Sequence, residues 1–195
     1  MANKTVSPSR AGRALAEEKS QLMSASEIDR TLVRLAHEIV ERNNGVENLV
    51  LVGIESRGVP LAQRLAQTIA GIEGAEPQVE TLDTTLYRDD LSQARRRPAV
   101  ESAPPAFSVD GRKVILVDDV LFTGRTTRAA LDALLAHGRP QRVELCVLID
   151  RGHRELPILA NYVGRALQTS ESEVIEVRLR EVDNEDRVVL CEKRE

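Results

Sequence analysis

Runs of aliphatic residues alternate along this chain with segments whose apolar residues recur every three or four positions. Residues 114–117 are four consecutive aliphatics, which is the pattern of a strand buried on both faces of a parallel sheet. Residues 48–54 and 142–149 form similar runs, and residues 79–87 alternate enough to predict a further strand. The segments between these strands have a different spacing of apolar residues.

Helical spacing occupies the segments between the strands. Apolar residues recur at this spacing after Ser26, after Pro60 and over residues 128–137. The first predicted helix has Ser24 or Ser26 as its cap, and an Asn-Asn-Gly sequence at residues 43–45 ends it. Strands that alternate with helices predict an α/β fold with a central, mostly parallel sheet flanked by helices.

The chain of 195 residues is long enough for one well-buried domain, and no shift in composition divides it. Residues 1–22 are polar and lack periodicity, so we expect a flexible tail followed by a single domain over residues 23–195. Residues 88–110 predict a long loop, which is either a lid over a site or a disordered insertion. Short strands within residues 150–195 predict a small antiparallel hood over the pocket. These strands are expected at residues 162–166, 174–179 and 188–191.

Composition excludes several classes of protein. The net charge of -4 gives no general attraction to nucleic acid, so RNA binding would need a local basic patch. The sequence has no apolar run of about 18 residues that would span a membrane and no apolar stretch of a secretory signal. Cys146 and Cys191 match no metal-binding spacing, and we expect reduced thiols in a cytoplasmic protein.

Two carboxylates and a hydroxyl-rich turn follow the central aliphatic run. Asp118 and Asp119 lie at the predicted carboxyl end of the strand, and residues 123–127 have the sequence Thr-Gly-Arg-Thr-Thr. A turn that leads into a helix presents free backbone N–H groups and the positive end of the helix dipole, which favour phosphate. Because the acids would repel that phosphate, they suit sugar hydroxyls or a metal ion, and the pattern indicates a phosphorylated sugar. The alternative is a buried pair of acids that caps the helix.

Two further turns are expected near the same edge of the sheet. Residues 53–60 place glycines around a short loop between a strand and a helix, where Ser56 and Arg57 could receive a second phosphate. Tight packing of the helix on the strand would explain the glycines equally well. Residues 150–158 carry two arginines, a histidine and two acids directly after a predicted strand, which places them beside the ligand as well.

These segments resemble known families. Residues 114–126 resemble the phosphoribosyl pyrophosphate (PRPP) signature of type I phosphoribosyltransferases, and residues 53–60 resemble their pyrophosphate loop, which often contains a non-proline cis peptide. Together with four more segments they resemble the pyrimidine operon attenuation proteins, a family of bifunctional uracil phosphoribosyltransferases. Those segments are residues 34–38, 51–54, 85–92 and 150–158.

The resemblance implies a type I phosphoribosyltransferase fold and the conversion of uracil and PRPP to UMP and pyrophosphate with Mg²⁺. It also implies that UMP or UTP acts as co-regulator for binding pyrimidine-operon messenger RNA, in a homodimer or a larger homo-oligomer. Two alternatives stay open. The chain could bind nucleotide and RNA with little turnover, or it could be a phosphoribosyltransferase for another base, such as hypoxanthine or guanine.

The resemblance also implies roles for single residues of the PRPP site. The two signature acids would hold the ribose hydroxyls and a cation at the root of the loop would act on the leaving group; here these are Asp118, Asp119 and Arg88. The residues expected to hold the 5′-phosphate are Thr123, Gly124, Arg125, Thr126 and Thr127. The residues expected to hold pyrophosphate are Ser56, Arg57 and Gly58, with Mg²⁺ bound mainly through PRPP and no firm protein ligand.

Base and RNA contacts are implied at more scattered positions. The base is expected to border Val120, Ile149, Arg151 and His153. RNA is expected to contact Arg30, Arg34, His37, Arg154 and Arg165. Val33 and Leu159 stand where RNA-binding members of the family often have threonine and arginine, and loss of an arginine removes electrostatic affinity for RNA phosphates. The charged face of the first helix is alternatively a solvated surface.

Overall fold

The structure, a computed structural model, describes residues 16–87 and 107–193. Its strands in chain order are β1 Ala16–Ser24, β2 Leu49–Ile54, β3 Gln78–Leu82, β4 Lys113–Leu121, β5 Arg142–Asp150, β6 Tyr162–Ala166, β7 Glu173–Arg178 and β8 Arg187–Lys193. Its helices are α1 Ala25–Asn43, α2 Gly58–Glu73, α3 Arg125–Leu135 and α4 Arg180–Asp183, with a 3₁₀ helix at Thr85–Tyr87.

Five strands form a parallel sheet in the order β3-β2-β4-β5-β6. The chain passes from β2 through α2 to one side and from β4 through α3 to the other, so the strand order reverses between β2 and β4. Ligands of open α/β sheets bind in the crevice at the carboxyl ends of the strands where this reversal occurs. The predicted α/β fold with a central parallel sheet is confirmed, and its switch point lies between the two predicted phosphate loops.

Alternating side chains of β4 explain why both faces of the sheet are covered. Ile115 and Val117 pack into a core cluster with residues of α1 and α2, whereas Val114 and Leu116 pack into a second cluster with α3. All four are fully buried or nearly so. A continuous aliphatic run is therefore needed here, as the sequence predicted.

Helix α1 begins where a capping box fixes its first turn. The Ser24 hydroxyl accepts a hydrogen bond from the Glu27 N–H (3.4 Å), and the Glu27 carboxylate accepts one from the Ser24 N–H (2.8 Å). Asn44 ends the helix in the left-handed conformation. Of the two predicted caps, Ser24 is the one that the structure uses.

The hood is a separate antiparallel sheet in the order β1-β8-β7. The prediction of a flexible tail over residues 1–22 was wrong for residues 16–22, which lie in β1; the rest of that tail lies outside the described residues. No alternation revealed this strand because residues 17–21 are exposed and two irregularities interrupt its register with β8. Residues 162–166 were wrongly expected in the hood, since β6 extends the parallel sheet beside β5.

Other element bounds differ from the prediction by a few residues. The strand expected over residues 79–87 ends at Leu82, where the Asp83 carboxylate accepts the Thr85 N–H (2.8 Å) and the chain turns into the 3₁₀ helix. Helix α3 starts at Arg125, three residues before the expected start at Arg128. Of the predicted loop over residues 88–110, only residues 107–110 are described.

Two smaller expectations concern the membrane and the cysteines. None of the helices in the two described ranges is both long and apolar enough to cross a bilayer. Cys146 and Cys191 are free and buried, and burial raises the pKa of the Cys146 thiol to about 12. Neither thiol is therefore poised to react.

Candidate active site

The loops after β2 and β4 meet in one crevice at the carboxyl edge of the sheet. A cavity of about 170 Å³ is lined by Glu55, Ser56, Arg57, Asp118, Asp119, Val120 and Thr126. A neighbouring cavity of about 300 Å³ is lined by residues 120–127. Because Val120 and Thr126 line both cavities, the two acids, the loop after β2 and the turn before α3 share one continuous site.

The two acids are held by backbone N–H groups. The Asp118 carboxylate, in a residue that is only 8% exposed, accepts the Asp119 N–H (2.9 Å), and the Asp119 carboxylate accepts the Val120 N–H (2.8 Å). Burial raises the pKa of Asp119 above its ordinary value of 3.8, although the nearby Arg57 guanidinium opposes that shift. Neither acid caps α3, because the N-cap of that helix is Gly124.

The turn before α3 has the geometry of an anion site. Gly124 adopts φ +90°, a left-handed conformation that glycine tolerates without strain. The Thr123 hydroxyl accepts the Arg125 N–H (3.4 Å), and Thr126 and Thr127 belong to the first helical turn. The Thr123 carbonyl accepts the N–H groups of residues 155 and 156, which fixes the turn against the loop after β5. The helix N-terminus thus faces the cavity with hydroxyls beside it.

The loop after β2 contains the cis peptide that the family resemblance led us to expect, between Glu55 and Ser56. A Cβ on Gly58 would collide with the Val117 carbonyl oxygen, and one on Gly53 would lie 2.5 Å from the Val59 Cα. Close packing of α2 on the sheet therefore requires both glycines, as the alternative interpretation proposed. The loop also lines the cavity, so packing and an anion-facing position occur together.

Arg57 forms an ion pair that sequence reasoning missed. Its Nε and Nη2 atoms each lie 3.1 Å from a carboxylate oxygen of Asp183, which belongs to α4 in the hood. Asp183 is separated from Arg57 by more than a hundred residues in sequence, and no local pattern connects them. The Arg57 side chain is 31% exposed and pairs with the hood on one side, and its charge acts on the acid Asp119 in the crevice.

Most of the residues expected to border the base have side chains that contact other parts of the protein instead of the cavity. Arg151 is buried, donates to the carbonyls of Ser170 (3.2 Å) and Glu173 (2.8 Å), and lies with its guanidinium 4.0 Å above the Phe122 ring. The His153 ring lies 2.5 Å from the Thr169 carbonyl oxygen. Ile149 is completely buried in the core, and Val120 alone of the four lines the cavity of the acids.

Most of the residues expected to contact RNA lie on one face formed by α1 and β6. Arg30, Arg34 and Arg165 line a cavity of about 370 Å³ there, and His37 is exposed on the same helix. Arg154 lies elsewhere, in the turn after β5. It donates to the carbonyls of Phe122 (2.8 Å), Gly152 (2.9 Å) and Ile158 (3.0 Å) and pairs with Asp150, so the structure brings three of the four arginines together.

The crevice contains carboxylates, but those that the structure describes do not form a complete set of ligands for a divalent cation. Within residues 16–87 and 107–193, no group of three or more His, Cys, Asp or Glu side chains is arranged to hold a metal ion. Glu55, Asp118 and Asp119 nonetheless line the same cavity, and oxygen ligands suit Mg²⁺, which commonly binds through one or two carboxylates and substrate phosphates. The donor set fits a metal ion that arrives with a phosphorylated ligand. Arg88, expected at the root of the loop, lies outside the described residues.

Comparisons with known proteins agree with this geometry. Residues 19–181 match the family model of the phosphoribosyl transferase domain. The bifunctional protein PyrR of Pelotomaculum thermopropionicum is 57% identical over 181 residues, which cover 93% of this chain and 100% of that protein. The bifunctional protein PyrR of Thermus thermophilus is 57% identical over 175 residues, which cover 90% of this chain and 97% of that protein.

Solved structures share the fold at lower sequence identity. The hypoxanthine phosphoribosyltransferase of Trypanosoma cruzi superposes with a TM-score of 0.67 at 18% identity, covering 91% of this chain and 98% of that chain. The hypoxanthine phosphoribosyltransferase of Staphylococcus aureus gives a TM-score of 0.66 at 20% identity, with coverages of 88% and 90%. The chain therefore belongs to the phosphoribosyltransferase family and, within it, to the bifunctional PyrR proteins.

Proposed function

We propose that this chain transfers the phosphoribosyl group of PRPP to uracil, giving UMP and pyrophosphate, and that it is also a UMP- or UTP-dependent RNA-binding regulator of pyrimidine biosynthesis genes by attenuation. The observation that carries the enzymatic part is the continuous crevice in which the acid pair Asp118 and Asp119 lies between two anion-facing helix starts. One ligand with a phosphate, a sugar and a second phosphate group fits this order of charges.

The PRPP contacts follow the order of the crevice. Residues 123–127 receive the 5′-phosphate through hydroxyls and the N-terminus of α3. Asp118 and Asp119 accept hydrogen bonds from the ribose hydroxyls. Ser56, Arg57 and Gly58 bind pyrophosphate at the start of α2. Mg²⁺, held mainly through PRPP, would supply positive charge that neutralises the leaving group.

The reaction breaks the bond between C1 of the ribose and the pyrophosphate oxygen and forms a bond from C1 to a ring nitrogen of the base, which loses its proton. As the leaving group departs, positive charge grows on the ribose ring. A preorganised carboxylate such as Asp119 stabilises that charge more than the neutral ground state, which lowers the barrier.

The choice of uracil as acceptor rests on the family rather than on the fold. Hypoxanthine phosphoribosyltransferases have the same fold at 18–20% identity, so the sheet and its crevice do not distinguish the bases. The experiment is to supply purified protein with PRPP, Mg²⁺ and each of uracil, hypoxanthine and guanine, with labelled base and a known transferase as control. We expect UMP as the product. A purine nucleotide as the only product would show that the substrate is another base. If no product forms, the alternative of a nucleotide- and RNA-binding regulator with little turnover would be favoured.

The regulatory function is supported by the cavity between α1 and β6, where three arginines gather on a protein of negative net charge. Such a local cluster offers the phosphate contacts that most RNA affinity requires. Filter binding of the leader RNA of the chain's own operon, titrated with salt and repeated with UMP or UTP, tests it. Affinity equal to that for a scrambled RNA, with and without nucleotide, would refute this part of the proposal.

A further inference from the structure

The ion pair between Arg57 and Asp183 fixes a side chain that would otherwise have many conformations. A long arginine side chain that is 31% exposed would have many rotamers if it were unrestrained, and a fixed partner removes that freedom. Asp183, whose side chain is only 4% exposed, is itself held because the same oxygen that accepts from the Arg57 Nε also accepts the Leu179 N–H (3.1 Å). The hood therefore holds the carboxylate, and the carboxylate holds the guanidinium.

The geometry of this pair leaves a second edge of the guanidinium for another anion. A guanidinium has five N–H groups arranged as a planar fork. Asp183 accepts from Nε and Nη2, which lie along one edge. The N–H groups of the adjacent edge, one on Nη1 and the second one on Nη2, can make another bidentate contact with a phosphate. A carboxylate behind the arginine thus sets the direction in which the arginine binds.

A neighbouring pair provides a natural comparison. Seven residues further along α2, Arg64 makes the same kind of bidentate contact with Glu181 of α4, at 2.8 and 2.6 Å, and also contacts Asp186 (2.7 Å). Both pairs join α2 to the hood. Only Arg57, however, lines the cavity of the two acids.

We propose that Asp183 is a positioning residue for PRPP, which orients Arg57 toward the pyrophosphate group from its place in the hood. The inference rests on the proposed PRPP site. It makes the hood part of the donor subsite, in addition to any contact with the base. Because Asp183 acts before the ligand arrives, its effect appears in PRPP binding and not in the steps that involve the acceptor base.

The test is Asp183→Asn, which keeps the size and can still accept the Leu179 N–H but cannot pair with both guanidinium nitrogens. We expect the KM for PRPP and the Kd for PRPP, measured by calorimetry with Mg²⁺ and without base, to rise about tenfold, the equivalent of about 1.4 kcal/mol. The KM for uracil and kcat stay within about twofold of wild type. Glu181→Gln is the matched control, because it weakens a hood contact of the same type and leaves PRPP binding unchanged.

A double variant checks that the effect passes through Arg57. In an Arg57→Ala background, Asp183→Asn should change PRPP affinity by no more than about twofold, since coupled residues are not additive. An additive loss, or equal losses of PRPP affinity in Asp183→Asn and Glu181→Gln, would overturn the proposal in favour of general loosening of the hood. If Asp183→Asn does not fold, the PRPP affinities of Asp183→Glu and Glu181→Asp are compared in the same way.

The two proposals can fail separately. If the wild-type protein does not bind PRPP in the calorimeter, the proposed function fails and the positioning role with it. If the wild type binds PRPP and Asp183→Asn binds it equally well, only the positioning role fails.

Discussion

Binding was predicted from charged side chains both in the crevice at the carboxyl edge of the sheet and on the basic face of α1 and β6. The two regions differ in what those side chains contact in the structure. In the crevice, backbone N–H groups hold the acids and two helix starts face the cavity. On the basic face, Arg34 donates to the carbonyls of Val163 and Gly164 (3.0 and 2.6 Å), and Arg165 donates to the Leu22 carbonyl (2.5 Å). A cation on a surface is thus also a structural donor, and its charge alone does not measure how available it is to a ligand.

The largest expected effect tests the crevice. Asp119→Asn keeps the shape of the side chain but removes the charge that we propose stabilises the transition state, so we expect kcat to fall by about a hundredfold or more with little change in stability. Because burial raises the pKa of Asp119 above 3.8, wild-type activity should already decline on acidification while free aspartates are still ionised. Steady-state assays of UMP formation across pH measure both. Unchanged kcat would remove Asp119 from the site, and the exposed acid substitution Glu41→Gln is the control.

The next effect separates structure from recognition in the turn after β5. Arg151→Ala removes a buried cation that binds Thr169, Ser170 and Glu173 in the hood, and we expect the free energy of unfolding to fall by about 3 kcal/mol. Urea unfolding measures it, with the exposed Arg139→Ala as a control that should stay within about 0.5 kcal/mol. A raised KM for uracil with unchanged stability would instead favour the predicted base contact.

A smaller effect tests the basic face. Arg30 is exposed and donates to the Ser26 hydroxyl (3.0 Å), so its guanidinium is easily redirected to an RNA phosphate. We expect Arg30→Ala to weaken leader RNA binding about fivefold, with UMP formation unchanged. The slope of log affinity against log salt concentration should become shallower by about the amount that one phosphate contact contributes. Filter binding at several salt concentrations measures this, and Arg139→Ala again matches the change in charge. Equal losses in the two variants would mean that the face is only a solvated surface.

The smallest effect concerns the hood. The hydrogen bonds from Arg64 lower the pKa of Glu181 below its ordinary value of 4.5, so this pair stabilises the fold at neutral pH and the stabilisation is lost as the pH falls through the lowered pKa. Glu181→Gln should lower the Tm by about 1 to 2 °C at pH 7, because exposed pairs contribute little. As the pH falls below about 4.5, the difference between the variant and wild type should shrink, and it should disappear once the pH is below the lowered pKa of Glu181. A constant difference at every pH would contradict this assignment.

The sequence predicted those parts of the molecule in which the residues that form a feature are neighbours in the chain. The aliphatic run 114–117, the acids after it and the glycine turn before α3 lie close together in sequence. In the structure the run is buried in the core, and the acids and the turn line one crevice at its end. The cap at Ser24 was predicted for the same reason.

The parts that sequence missed depend on partners far away in the chain. Strand β1 has an exposed, polar surface, and only its pairing with β8 makes it a strand. The internal partners of Arg57, Arg151 and Arg154 likewise appear only when the hood and the loop after β5 are in place. An arginine in a turn gives no sign in the sequence of whether a ligand or a backbone carbonyl will accept its hydrogen bonds.

The order of strands in the hood has a consequence for how the protein is made. Among the described strands, β8 is the last to be synthesised, yet it is the central strand of the hood, with β1 on one side and β7 on the other. Until β8 emerges, β1 and β7 both lack the strand with which they pair in the described hood, whereas the described parallel sheet has all five of its strands once β6 has been synthesised. The hood sheet therefore forms after the parallel sheet has been synthesised, and during that interval a nascent chain exposes the edges of β1 and β7, which could pair with the wrong strand.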